Sequence, residues 1–431
     1  MRVALIHPEW RFDGSIYFGC REPHLPLELG YAAARLRAAG HEALILDGAL
    51  DGLSNAALAD RAAAFRPDMT VVTTAPTYLF WRCAQPELTT PRALFDALGE
   101  RGGMTVAVGP HGSVTPGAAL RKLGCDLLVR GECEEVVEAL ANAGGDPRGL
   151  MHVAWLEAGE PVVKGPPAAA AFRDAPALRW PDGWVKRHHH HHHRFDLQPD
   201  APGAEVEASR GCPYSCTFCA KNDYRDKYRR RELAHTLDEI DGLMAQGVRY
   251  LYFIDEIFLP WKELLEALQA REGLWFGVQT RLDLWSEPMI DRLGRAGCVS
   301  VEAGVESLTP EGRDALDKKC RMSTEQLTDR LIYAKRRIAF VQANLIETAE
   351  DDPAEIAAWR ERVRAAGVWA NDPVPLYPYP SSPDYLKLFG PPDDHAWERA
   401  HAHYLKQFAR FSDVQDQAPA RLEELEGTCA S

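Results

Sequence analysis

Apolar residues come in two successive rhythms along this chain. Over residues 1–150, short apolar runs at Arg2 to Ile6, Ala43 to Leu46, Thr70 to Thr73, Thr105 to Val108 and Leu127 to Val129 read as strands. Between them lie amphipathic stretches: near Glu28 to Ala39 closed by Gly40, from Ser54, near Pro116 to Leu123, and Glu132 to Ala141. Strand–helix alternation at this pitch predicts an α/β fold, a doubly wound, Rossmann-like parallel sheet covered on both faces. Ligands of such sheets bind beyond the carboxyl ends of the strands. The segments expected there are His7-Pro8-Glu9, Thr73 to Thr77, Gly109-Pro110-His111-Gly112 and Arg130-Gly131-Glu132.

The second rhythm begins at Glu205. Strands are expected at Glu205 to Ser209, Tyr250 to Ile254, Trp275 to Val278, Ser300 to Val305, Phe340 to Ile346 and about Trp369 to Leu376, with helical stretches between them. Six such units predict a partial (βα)6 barrel over residues 200–390, and barrel enzymes place their chemistry at the carboxyl ends of the strands. Residues 151–199 read as a linker, because Lys164 to Gly183 is rich in Pro and Ala. The linker carries six consecutive histidines, His188 to His193, to which no catalytic role is assigned. Residues 391–431 are helical in pattern, with helices expected over His395 to Phe411 and Ala418 to Glu426; Trp397, Tyr404 and Phe408 recur at the spacing of a core-facing stripe.

Composition narrows the classes. The 431 residues carry a formal charge of −14, which argues against nucleic acid or an anionic membrane as partner, since both need a basic face. No run approaches the length of a membrane span and the N-terminus lacks the pattern of a secretory signal, so a cytoplasmic location is expected. Ten cysteines without an even framework fit a reducing compartment. The expected substrate is a small or carrier-bound metabolite.

Three of those cysteines differ from the rest. Cys212, Cys216 and Cys219 stand in a Cys-x3-Cys-x2-Cys run, G-C-P-Y-S-C-T-F-C-A, directly after a strand. Three closely spaced thiolates suit a four-iron cube that wants four ligands; without a fourth cysteine nearby, one iron keeps an open position for a substrate or cofactor, as catalytic zinc does. The alternatives are a structural zinc site, which ordinarily pairs two Cys/His couples, and packed core thiols.

The run and its flanks, Arg210 and Gly211 before and Phe218 within, resemble the signature of the radical S-adenosylmethionine (SAM) family. The resemblance implies a [4Fe–4S] cluster on Cys212, Cys216 and Cys219 whose free iron is chelated by SAM, and reductive cleavage of the sulfonium to a 5′-deoxyadenosyl radical. It implies an external reductase such as flavodoxin or ferredoxin. F-I-D-E-I-F-L is similar to the family's second-strand acidic motif, so Asp255 and Glu256 are expected at the amino group of SAM. V-E-A-G-V-E-S is similar to its fourth-strand motif, placing Glu306 and Ser307 at the ribose; I-E-T-A-E-D-D is similar to its fifth-strand loop, placing Ile346 and Glu347 near adenine, although the family's glycine and proline are missing there. Phe218 is expected to pack near the adenine. Arg281, at a strand end, is the candidate for holding an anionic group, and Glu302 and Gln342 are candidates to point into the barrel. The run Arg225 to Arg231 is either a solvated face or a second anion-holding element.

The N-terminal half is similar to the cobalamin-binding domain that precedes many radical SAM domains, on L-P-L-E-L-G-Y, G-H-E-A-L-I-L-D, V-G-P-H-G and V-R-G-E-C-E. This implies cobalamin contacts from Gly109, His111, Gly131 and Glu132. The Asp-x-His-x-x-Gly signature, whose histidine would ligate cobalt, is absent, and His111 and Asp47 remain equally readable as loop residues. The resemblance implies a cobalamin-dependent radical SAM methyltransferase acting on an unactivated carbon; a rearrangement, cyclisation or oxidation enzyme, and an iron–sulfur electron carrier or sensor, remain the alternatives.

Overall fold

The computed structural model describes residues 1–16, 23–76, 84–187, 202–407 and 419–427. The histidine run, Cys20, Cys83, Phe408 and Cys429 lie outside them. The N-terminal half runs β1 (Arg2–His7), α1 (Leu27–Ala38), β2 (Glu42–Asp47), α2 (Gly48–Asp51), α3 (Asn55–Phe65), β3 (Met69–Thr73), α4 (Thr89–Leu98), β4 (Met104–Val108), α5 (Pro110–Val114), α6 (Pro116–Leu123), β5 (Leu127–Val129) and α7 (Glu134–Asn142). The expected strands are present, and they pair in the order β2-β1-β3-β4-β5, all parallel. This is the flavodoxin-like doubly wound order, whose chain direction reverses between β1 and β3.

The sheet continues past residue 150. β6 (Val153–Glu157) and β7 (Glu160–Lys164) form a hairpin that adds antiparallel to β5, where the sequence was read as linker. Its two-residue turn, Ala158 and Gly159, has φ of 51° and 87°, the both-positive geometry of a type I′ turn. Ala-Gly lacks the Asn-Gly or Asp-Gly signal of such turns, so the hairpin has no strong local marker.

After α8 (Asp182–Val185) come β8 (Gly203–Val206), β9 (Ser209–Arg210), β10 (Arg229–Arg230), α9 (Leu233–Ala245), β11 (Tyr250–Phe253), α10 (Lys262–Gln269), β12 (Trp275–Thr280), α11 (Glu287–Arg295), β13 (Cys298–Glu306), α12 (Pro310–Ala315), α13 (Thr324–Lys335), β14 (Phe340–Leu345), α14 (Pro353–Ala365) and β15 (Trp369–Ala370). The six strands β8, β11, β12, β13, β14 and β15 pair in sequence order, all parallel, so the partial barrel is present. Two of its elements are shorter than the apolar pattern. The first strand ends at Val206, and Ser209–Arg210 turns away to pair antiparallel with Arg229–Arg230; the sixth keeps two paired residues, Trp369 and Ala370, plus a bridge from Val374 to Ile346. The tail holds α15 (Pro383–Phe389), α16 (Ala396–Gln407) and α17 (Leu422–Leu425); the last helix is shorter than the sequence pattern, and Trp397 and Tyr404 are buried as the stripe implied.

One apolar core runs from Leu5 and Val71 in the first sheet through Tyr31, Phe172 and Trp180 to Val206 and Ile240 in the barrel. Within this junction sits a buried ionic network. The Arg210 guanidinium, fully buried, donates to Glu132 at 3.0 Å and to Glu207 at 3.0 Å and also pairs with Glu134. The rings of Phe172 and Tyr31 cover it at 4.2 and 4.9 Å. Arg229 pairs with Glu132, and Arg225 pairs with Glu207 and, at 3.1 Å, with Glu256. Burial pushes the Glu207 carboxyl up, yet Arg210 and Arg225 outweigh it and hold it below the usual carboxylate range. Glu28, 3.8 Å from Arg225, is pushed up to about 8 by its burial, which the Arg225 charge only partly offsets.

Removing one partner of such a network strands buried charge. Arg210→Met is expected to lower unfolding free energy by about 3–5 kcal/mol, read as a fall in the urea midpoint.

Candidate functional site

The cysteine loop leaves the barrel at β9. Gly211 has a φ of 77°, and a Cβ there would lie 2.1 Å from the Lys227 carbonyl, so the turn into Cys212 requires glycine. Its N–H donates to Glu256 at 2.7 Å. Inside the loop Cys219 N–H donates to the Cys216 carbonyl at 3.1 Å, and Lys221 Nζ caps the Cys212 carbonyl at 2.8 Å. Outside it, Thr217 N–H reaches the Leu316 carbonyl, Ser215 reaches Asp317, and Thr217 exchanges two bonds with Asp384. The loop is therefore held from three sides while its thiols stay reduced and half-exposed.

Among the described residues no three His, Cys, Asp or Glu side chains converge closely enough to hold one metal ion. A cube would hold each cysteine on a different iron. Burial pushes the Cys216 thiol up to about 11; the nearby Lys318 and Arg281 charges pull it down and Glu306 raises it. A group carrying positive charge would invert that cost for thiolates.

Lys318 is the residue that sequence reasoning missed. It is buried, its Nζ donates to Glu306 Oε2 at 2.5 Å, and it stands on the Leu316–Lys319 segment that bonds the cysteine loop. Its only sequence signal was the Asp-Lys-Lys step at 317–319, where Asp317 and Lys319 adopt φ of 50° and 56°. Glu306 is itself held at φ 62°, at a register shift between β13 and β14, strain of the kind that clusters at functional sites. Arg281 also comes to the loop: bidentate on Asp283 at 3.1 and 2.7 Å, it lies 4.3 Å over the Tyr214 ring, and its buried Nη1 has no hydrogen-bond partner.

Other expected residues are placed differently. Asp255 is buried, accepts from Ala208 N–H and Ser209 Oγ, and burial pushes it up to about 8; with Glu256 on Gly211 and Arg225, it shapes the start of the cysteine loop. Ser307 is buried under Gly312 and accepts from Thr309 N–H, fastening the entry to α12. Glu347 is exposed, and Phe218 is half-buried in the loop. Glu302 is buried in the barrel and accepts from Tyr252 Oη at 2.8 Å, in register with Gln279 and Gln342.

The four N-terminal candidates are committed to packing. Gly109 lies so close to Thr74 that a Cβ would stand 2.2 Å from its hydroxyl, and a Cβ on Gly131, at φ 80°, would stand 2.3 Å from Ala168 backbone. Glu132 gives its oxygens to Arg210 and Arg229. His111 Nε2–H donates to the Gln85 carbonyl at 2.9 Å and Nδ1 meets the Thr74 hydroxyl at 3.2 Å, its ring lying tilted against Trp397 with centroids 4.5 Å apart. Burial lowers its pKa to about 3, so it is neutral with both nitrogens engaged. Asp47 caps α2 through Leu50 N–H.

Where the carboxyl edge of the first sheet meets the cysteine loop there is a narrow cleft of about 10 Å³, walled by Pro110 and Val114, by Ala220 and Tyr224, and by Tyr379 and Trp397. Its faces are mostly apolar or aromatic. That volume is the room of one water, so any larger occupant requires the walls of the cleft to part.

Residues 206–356 match the radical SAM superfamily. The chain is 26% identical over 358 residues to an uncharacterised methyltransferase of Pyrococcus horikoshii, covering 78% of this chain and 72% of the relative. It is 24% identical to the anaerobic magnesium-protoporphyrin IX monomethyl ester cyclase of Cereibacter sphaeroides, covering 90% of this chain and 64% of the relative, so it spans about two thirds of that protein's length. In fold it is similar to the radical SAM methyltransferase TsrM of Kitasatospora setae, whose structure holds cobalamin and a [4Fe–4S] cluster, with a TM-score of 0.71 at 20% identity over 90% of this chain and 78% of that one. The cobalamin-dependent enzyme OxsB follows with a TM-score of 0.67 at 17% identity, covering 86% of this chain and 53% of that one. The matched residues hold the three-thiol loop and strands β11 to β14 of the partial barrel, so this chain carries a radical SAM domain over residues 206–356.

Proposed function

We propose that this chain is a cobalamin-dependent radical SAM enzyme that methylates an unactivated carbon of a small or carrier-bound biosynthetic metabolite. The observation that carries the reading is the placement of the three-thiol loop, at the carboxyl end of the barrel and against the carboxyl edge of a flavodoxin-order sheet. The methyltransferase relative and the cobalamin-bound structural neighbours support it. When bound, a reduced four-iron cluster supplies the electron that splits the SAM sulfonium, and cobalamin carries the methyl group in transit.

The chain's own residues have distinct parts. Cys212, Cys216 and Cys219 would hold three irons and leave one corner open. Lys318 and Glu306, opposite charges joined beside Cys216, would meet the carboxylate and amino groups of SAM, with the unpartnered Nη1 of Arg281 a second donor. Asp255 and Glu256 would position the loop. Glu302 and Gln342, on the inner face of β13 and β14, would face the substrate. The apolar walls at Pro110, Tyr379 and Trp397 suit a flat macrocycle once parted, and His111 would not ligate its metal. Among the described residues no helix is long and apolar enough to cross a membrane; a reducing cytoplasm and an external reductase complete the reading. The cyclase likeness, over 90% of this chain, favours ring closure or oxidation as the second reading.

The decisive experiment incubates anaerobically reconstituted, reduced protein with SAM and measures 5′-deoxyadenosine. Cleavage, lost together with iron and sulfide in Cys216→Ala, is the expected result; zinc-loaded protein or full cleavage by the variant would falsify the ligand assignment. Lys318→Met should retain the cluster and weaken SAM binding by about tenfold, the scale of one charge-assisted hydrogen bond, measured by equilibrium dialysis. Protein purified from cobalamin-fed cells should carry a corrinoid whose reduced EPR spectrum shows no histidine nitrogen splitting, and an absent corrinoid rejects methyl transfer through cobalt.

A further inference from the structure

Beside the cleft lies a buried polar cluster that the chemistry above does not use. It joins three parts of the chain: Gln85 and Glu87 from the connection between β3 and α4, Tyr377 from the segment after β15, and Trp397 and His401 from α16 in the tail. Trp397 and His401 stand four residues apart and so share one face of their helix. The Trp397 ring meets His111 with centroids 4.5 Å apart, and His111 in turn donates to the Gln85 carbonyl at 2.9 Å. The Tyr377 ring lies 6.3 Å from His401 and 4.6 Å from Tyr379, within reach of the Glu87 charge. Tyr379 and Trp397 line the cleft itself.

Each of these side chains brings a polar atom that nothing in the fold satisfies. Gln85 Oε1, Glu87 Oε2, Tyr377 Oη, Trp397 Nε1 and His401 Nδ1 are buried without a hydrogen-bond partner, and Glu87 is the most exposed of the residues at 8%. A buried polar group left unpaired is costly and uncommon, so several that share one neighbourhood point to a shared occupant. The set is mixed in character. His401 Nε2–H donates to the Ala420 carbonyl at 2.7 Å, which leaves Nδ1 a lone pair. Gln85, Glu87 and His401 therefore accept, Trp397 donates, and the Tyr377 hydroxyl does either. A primary carboxamide, with two N–H donors and a carbonyl, matches both kinds at once. Carboxamide arms are what the rim of a corrin carries around its flat ring.

We propose that Gln85, Glu87 and Tyr377, together with Trp397 and His401 of α16, recognise carboxamide arms at the rim of the corrin, which makes the C-terminal helix part of the cofactor site. The inference rests on the cobalamin reading above and deepens it. The apolar walls of the cleft take the ring face, and the polar cluster takes the arms. Trp397 Nε1–H donates to an amide carbonyl, while Gln85 Oε1 and Glu87 Oε2 accept amide N–H groups. Buried acceptors of this kind select an amidated rim, because a rim without N–H groups leaves them unpaired.

The test uses the full chain, anaerobically reconstituted, and follows corrinoid binding by equilibrium dialysis. Tyr377→Phe deletes only a hydroxyl, and Gln85→Met deletes the amide at nearly constant length. Each should weaken hydroxocobalamin binding about fivefold, the scale of one neutral hydrogen bond. The urea midpoint of the corrinoid-free protein should stay at or above wild type, because the group removed has no partner there. A midpoint that falls in both variants assigns these groups to the fold and overturns the proposal, as does hydroxocobalamin affinity within about twofold of wild type in both. Two further probes separate the arms from the ring: cobinamide, which keeps the amides, and heptamethyl cobyrinate, which carries methyl esters in their place. Gln85→Met should lose affinity for cobinamide and keep that for the ester, which has no N–H to offer; equal losses overturn the proposal. Wild type that takes up no corrinoid refutes the cobalamin reading and this assignment together, whereas binding that ignores the substitutions refutes the assignment alone.

Discussion

The buried guanidinium of Arg210 is the interaction on which the rest of the structure depends. It sits one residue before the glycine that opens the cysteine loop, yet its carboxylate partners come from both halves: Glu132 and Glu134 follow β5 of the first sheet, and Glu207 follows β8 of the barrel. A fully buried charge must be paired where it stands, so the start of the loop is fixed relative to both sheets at once. Arg225 and Arg229 extend the same logic, tying Glu207, Glu256 and Glu132 into one set.

That set gives the acidic second-strand motif an added meaning. Asp255 and Glu256 hold Ala208, Ser209 and Gly211, so the carboxylates at the end of β11 define the path of the loop. The charges that face the thiols come from elsewhere: Lys318 with Glu306, and Arg281 with Asp283, each a cation already matched to an anion. Opposed pairs of this kind cost little while waiting and can exchange partners when a zwitterionic ligand arrives, because the ligand brings both signs.

The architecture was largely legible in the chain. Strand–helix alternation predicted both parallel sheets, because period and loop length are local properties, while the order β2-β1-β3-β4-β5 of the first came from the tertiary structure. The type I′ hairpin at Ala158-Gly159 escaped, since its turn lacks the usual residues, and β15 shrank to two pairs, after which the Asn371 side chain takes up the Leu345 N–H and carbonyl. In the site, the cysteine run and Arg281 were visible as residue types at strand ends. Lys318 was not, because it reaches the loop from a turn about 100 positions downstream of the cysteines, and nothing local marks a lysine as buried. The loop glycines and His111 are buried at the strand ends, where small and polar residues serve ligands and close packing equally well.

The amino-acid sequence by itself determined which thiols are set apart and that two parallel sheets form, since spacing and periodicity need no coordinates. Only the tertiary structure decided that Glu132 serves Arg210 and that Lys318, paired with Glu306, stands beside Cys216. Those facts depend on which distant segments share a neighbourhood, and the strength of a charge interaction depends on that distance and on burial, neither of which a linear pattern contains.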